Sequence, residues 1–223
     1  MEGWLVKLRI VLSSVDRRTV IRYCFLALAI ACLGLYGYAY LDRVLYQTYE
    51  SREFDQALER SGVAVAAANG HITPISRGVR PARNAPGAVI GRLSVPRLHL
   101  SAMVREGIDR KTLLLAVGHI PATALPGQPG NVGLAGHRDT FFRGLKDLRT
   151  GDEIRFSTLG GDFNYVVESL TIVEPDDVAV LAPSAENILT MVTCYPFYYV
   201  GGAPKRFVAK ARQVAPQVLD TME

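Results

Sequence analysis

Three residues in the C-terminal part of the chain have side chains suited to acyl transfer. His137 lies in Gly133-Leu-Ala-Gly-His-Arg-Asp-Thr140, Cys194 in Asn187-Ile-Leu-Thr-Met-Val-Thr-Cys-Tyr-Pro-Phe197, and Arg206 in Ala203-Pro-Lys-Arg-Phe-Val208. A thiol with an ordinary pKa of about 8.5 is only a few per cent ionised at neutral pH. A neighbouring imidazole and guanidinium favour the thiolate, and the imidazole can then protonate a leaving amine. A guanidinium facing the attacked carbonyl can hold the tetrahedral oxyanion, with a fork of donors that lysine lacks. Cysteine, histidine and arginine thus form a complete acyl-transfer set with no third acid. Each also has a plainer use: a lone cysteine as a small buried hydrophobe, a histidine bonded within the core, an arginine as a solvated strand-edge charge.

Such chemistry needs rigid elements to carry it. Cys194 ends an apolar, β-branched run and meets Tyr-Pro, where a buried strand gives way to a turn. His137 ends the strand predicted over 131–136, after small residues that let another chain approach closely. Further strands are predicted over 87–98, 99–107, 152–159, 162–174, 187–195 and 205–214. Asp109 can cap a short helix running to about residue 120. A Pro/Gly-rich loop covers 121–130, and residues 140–148 read as a short helix or turn. Short strands at this spacing, with brief helices, predict a closed β-barrel. About 130 residues suffice to bury such a core.

The chain has 223 residues, 49% of them hydrophobic. Residues 1–49 carry six Lys/Arg against three acids, which leaves 19 basic against 18 acidic residues in the rest. The basic isoelectric point therefore reports on the N-terminus and gives no support for a nucleic-acid-binding surface. Two of the three cysteines, Cys24 and Cys32, lie in the hydrophobic N-terminal segment. The body keeps Cys194 alone, which excludes a disulfide framework there and argues against a thiolate zinc site. No metal or other cofactor is expected.

Tyr23 to Leu41 is a run of 19 residues without a charge, long enough at about 1.5 Å per residue to cross the ~30 Å hydrocarbon core. Five basic residues precede it and only Arg43 follows closely, so the positive-inside rule puts the N-terminus in the cytoplasm and the body outside. The run is too long, and ends in residues too bulky, for a cleaved signal peptide. The expected organisation is a cytoplasmic N-terminus (1–22, with a weakly amphipathic stretch at 4–15), a transmembrane signal anchor (23–41), a juxtamembrane helix (42–68), a linker (69–87), a catalytic domain (88–215) and a tail (216–223).

The blocks LAGHRDTFF, TMVTCYPF and APKRFVAKA resemble the signature blocks of sortases, the membrane-bound cysteine transpeptidases. Thr190-Met-Val-Thr-Cys194 is similar to the family's Thr-Leu-x-Thr-Cys block, with Met191 where leucine is usual, a change of little consequence for size. The match extends from about Gly87 to Val214 in the right order behind an anchor. Cys194-Tyr-Pro-Phe197 and the loop beginning Gly118-His-Ile-Pro most resemble class D and related proteobacterial sortases. The resemblance implies a mainly β fold: an eight-stranded sortase-type barrel with short helices, preceded by an N-terminal transmembrane helix. It also implies that Cys194 attacks the bond after Thr in an LPxT[G/A]-type sorting signal of a secreted protein. His137 then protonates the leaving amine, and Arg206 binds substrate carbonyls and steadies the oxyanion. Thr193 adds a hydrogen bond beside the thiol, and His119 opens a loop that borders the substrate groove. An amine on an envelope or protein acceptor resolves the thioester. The alternatives are a thiol hydrolase for the same signal and an anchored binding module that leaves the site unused. Asp139 is read as a turn cap. His71, in the linker, and His99, in a predicted strand, have no assigned partner.

Overall fold

The computed structural model describes residues 16–67 and 85–214. The stretch at 4–15, most of the linker with His71, and the tail lie outside the described residues. The chain divides between Val44 and Leu45 into two compact units.

Helix α1 runs Arg17–Ala67, so the predicted anchor and juxtamembrane helix form one continuous element. In the first unit its residues from Tyr23 to Leu41 are all exposed. The helix is long and apolar enough to cross a membrane.

The second unit is a closed barrel of eight strands: β1 Val89–Val95, β2 Leu100–Glu106, β3 Val117–His119, β4 Asn131–Ala135, β5 Glu153–Thr158, β6 Gly161–Val173, β7 Ile188–Tyr195 and β8 Lys205–Val214. They close in the order β1-β2-β3-β4-β7-β8-β6-β5. The β2–β3 and β4–β7 pairs are parallel and the others antiparallel. Period-2 patterning sets the inward faces. In β5, Ile154 and Phe156 point into the core while Glu153 and Arg155 face solvent. Leu93, Leu134, Leu189, Met191 and Phe156 are fully buried, each contributing about 1.5–3 kcal/mol relative to exposure.

Two details of the sequence reading change. The helix after Asp109, α2, stops at Leu115, and residues 117–119 form β3. Asp109 caps it as expected, accepting from the Lys111 and Thr112 amides. Beyond Ala116 the run Val-Gly-His is poor in helix formers, and pairing with β2 and β4 makes it a strand. Val117, Gly118 and His119 are all buried, and a Cβ at Gly118 would lie 2.4 Å from the Gly107 carbonyl oxygen. His99, placed in a strand from sequence, instead sits before β2 with φ 48°, ending a 3₁₀ turn over Pro96–Leu98.

The part of α1 beyond Leu45 packs on the barrel wall. Phe54 is 5% exposed, and the Arg92 guanidinium lies 5.4 Å from its ring centroid while bonding Ser51 and Asp55. Gln47 accepts from the Met103 amide and donates to the Leu115 carbonyl. It thereby joins β2 to the end of α2 just before the β2–β3 ladder starts at Val104↔Val117.

Candidate active site

β4 and β7 run parallel with a last pair Ala135↔Val192. One residue further, the Gly136 amide donates to the Val192 carbonyl at 3.2 Å. The Thr193 hydroxyl donates to the Gly136 carbonyl at 2.7 Å. Continuing that register sets His137 level with Cys194. On the other side of β7, Cys194 pairs directly with Arg206 of β8. The three residues singled out from the sequence therefore sit at one end of three adjacent strands, although the first and the last are 69 positions apart in the chain.

Each is placed by its surroundings. Gly136 must be small, because a Cβ there would lie 2.7 Å from Cδ2 of the buried Phe142 ring. That ring anchors the segment after His137, whose carbonyl accepts from the Phe142 amide. Cys194 is a half-buried free thiol at the edge of the barrel. Beyond it, a cis Tyr195–Pro196 peptide opens the β7–β8 loop. Phe197 packs edge-on between Tyr195 and Phe207. Arg206 donates through Nη1 to the Ala203 and Lys205 carbonyls; among the described residues its other donors carry no protein partner.

Thr193 is 3% exposed, so its hydroxyl serves the β4–β7 contact. His119 is likewise buried, with both ring nitrogens engaged: Nδ1 lies 2.9 Å from a Glu106 carboxylate oxygen, and Nε2 2.9 Å from the Ala124 carbonyl and 3.0 Å from the Thr123 hydroxyl. It pairs with Leu134, three residues short of His137, and joins β2 to the loop after β3. Asp139 is exposed.

Sequence reasoning missed two cations that hold the β7–β8 loop. Arg138 donates through Nη2 to the Tyr199 and Gly201 carbonyls, and Lys146 donates to the Tyr198 hydroxyl at 2.8 Å. The hydrogen bond to Tyr198 raises the Lys146 pKa above its ordinary value. These partners lie far along the chain, so only the basic residues themselves were visible in the sequence.

Among the described residues no group of three or more His, Cys, Asp or Glu is placed to hold a metal ion. A cavity of about 550 Å³, lined by Val89, Ile90, Leu125, Pro126, Leu159 and Phe163, lies at the other end of the barrel. There β6 begins, whereas its last pair is Val173↔Arg206. It is separate from Cys194.

The family model described as Sortase domain matches residues 93–214. The chain is similar to Sortase D of Bacillus subtilis (strain 168), 36% identical over 129 residues, covering 57% of this chain and 65% of that protein. It is also similar to Sortase SrtE1 of Streptomyces coelicolor, 35% identical over 130 residues, covering 50% of this chain and 37% of that protein. The match thus spans less than two thirds of these relatives' own length. The solved structure of a Clostridium perfringens Sortase D5 transpeptidase superposes with a TM-score of 0.58 at 24% identity, over 78% of this chain and 99% of that one. At that identity the likeness speaks for the fold.

Proposed function

The chain belongs to the sortase family, and from that premise we propose that it is a membrane-anchored cysteine transpeptidase acting on LPxT[G/A]-type sorting signals. The observation that carries the reading is the convergence of β4, β7 and β8, which brings His137, Cys194 and Arg206 to one barrel end. The Cys194 thiolate attacks the Thr carbonyl carbon of the signal, and the C=O electrons move onto oxygen. The Arg206 guanidinium, with Nη2 and Nε unengaged among the described residues, binds that oxyanion. Collapse breaks the peptide bond as His137 gives its proton to the departing amine, leaving a thioester on Cys194. An incoming amine on an envelope or protein acceptor attacks the thioester, His137 takes its proton back, and the thiolate is released.

Thr193 and His119 serve this chemistry indirectly. Thr193 fixes the spacing of β7 and β4 beside the thiol, and His119 sets the loop at 120–124 that flanks the groove. The Tyr23–Leu41 segment crosses the cytoplasmic membrane with the N-terminus inside, so that the barrel meets secreted proteins.

The test uses the full chain in detergent micelles with LPxTG and LPxTA peptides and an amine, read by intact-protein mass spectrometry. An acyl adduct on Cys194 is expected, resolved to the amide product. Cys194→Ala should lower turnover by at least ~1,000-fold. No adduct with any peptide, or full turnover in that variant, overturns the reading. A product ratio indifferent to amine concentration assigns a hydrolase instead.

A further inference from the structure

The β7–β8 loop, residues 196–204, is held from two sides by arginines. From the β4 side, Arg138 Nη2 donates to the Tyr199 carbonyl at 2.6 Å and the Gly201 carbonyl at 3.0 Å. Its guanidinium stands 6.0 Å from the Tyr199 ring centroid. Nη1 is closed off from solvent, without a partner among the described residues. From the β8 side, Arg206 Nη1 donates to the Ala203 and Lys205 carbonyls. Apolar packing does little for the loop crest: Val200 is 95% exposed and Tyr198 74%. Gly201, at φ +97°, and Gly202 have open space where a side chain would stand. Hydrogen bonds from Arg138 and Lys146 therefore hold the crest in place.

We propose that Arg138 is a positioning residue for Arg206: it fixes the loop whose Ala203 carbonyl, together with the Lys205 carbonyl at the start of β8, aims the Arg206 guanidinium. Arg138 follows His137 directly, so one side chain ties the segment of the proton donor to the segment of the oxyanion binder. The two are then set as a unit. The proposal takes the purpose of Arg206 from the sortase reading; the structural link to Arg138 stands apart from it.

The test compares the wild-type chain with Arg138→Ala, Arg138→Lys, Arg206→Ala and the double alanine variant, all full-length in detergent micelles. Amide exchange over 197–206 should be about tenfold faster in Arg138→Ala, with β4 and β7 unchanged. In spectra of ¹⁵N-arginine-labelled protein, the Arg206 side-chain signal should move to the solvent-averaged position. With an LPxT-type peptide, kcat should fall by about tenfold or more. Arg138→Lys, which can still donate to one of the two carbonyls, should recover part of both effects. In the Arg206→Ala background the Arg138→Ala change should cost less than about twofold further. Unchanged loop exchange, an unmoved Arg206 signal, or losses that multiply in the double variant each overturn the proposal. If the wild type forms no adduct with any peptide, the transpeptidase reading fails, and exchange with the Arg206 signal still decides whether Arg138 aims that guanidinium.

Discussion

Gly136 separates β4 from His137, and its missing side chain leaves room for the Phe142 ring. Gly136→Ala sets a methyl against Cδ2 and Cγ of that ring at 2.7 and 2.9 Å, so either Phe142 or the backbone must give. Overpacking of this kind costs about 1–3 kcal/mol. The variant should melt at a lower temperature, and its acylation rate should fall further than stability alone explains, because the displaced residue adjoins His137. Equal melting temperatures would place Phe142 in a roomier site than the geometry gives. Cys194, His137 and Arg206, the proposed site, could be singled out in the sequence because the proposed chemistry restricts residue type and the neighbours form recognisable blocks. Arg138 was not, since its acceptors are backbone carbonyls 61 and 63 positions away, and any residue type supplies a carbonyl. His119 carried chemical promise in the sequence; its Glu106, Ala124 and Thr123 partners appear only once β2 and β3 lie side by side.

At the scale of elements, strands with clean alternation, such as β1 and β5, could be read directly. β3 could not: three buried residues have no period to detect, and its partner β2 runs parallel through a crossover. The segment of α1 beyond Leu45 was legible as helix, but its docking was not, because Phe54 and Gln47 look like ordinary members of a mixed helix. Phe54→Ala should cost about 3 kcal/mol, the low end for a buried phenylalanine, since a wall site opens to water more readily than a core. Asp55→Ala, by contrast, should cost less than about 1 kcal/mol, because that carboxylate is half exposed and such pairs are well screened. Denaturant unfolding of both variants in the full-length chain checks the contrast. Similar losses would mean that the ion pair, not the ring, secures the helix.

For the whole molecule, pH acts most clearly where the barrel closes between β1 and β5. Arg97, in the turn after β1, makes a bidentate pair with Asp152 just before β5, and the Arg149 amide donates to the same carboxylate. The hydrogen bond from Arg97 holds the Asp152 carboxyl below its ordinary value. Its folded pKa therefore lies below the unfolded one of about 3.9. The stabilisation is complete above that unfolded value and is lost as pH falls through the folded one. Asp152→Asn should lower stability by about 1–3 kcal/mol at pH 7, with the gap to wild type narrowing below about pH 4. Thermal melts across pH 3–7 read this, and a gap that stays constant would remove Arg97 as its cause. The two-part plan, apolar helix and barrel, was legible from hydropathy and strand spacing, and the juxtamembrane helix expected over 42–68 follows the apolar segment without a break to Ala67. That continuity has a consequence through Gln47. Its carboxamide acts as one more rung on a seam of three residue pairs, so a protease that freed the barrel from the helix would also unfasten the wall. The Met103 amide and the Leu115 carbonyl would turn to water, and β2 and β3 would part there first. Separation from α1 would then start a clock on the domain it sets loose.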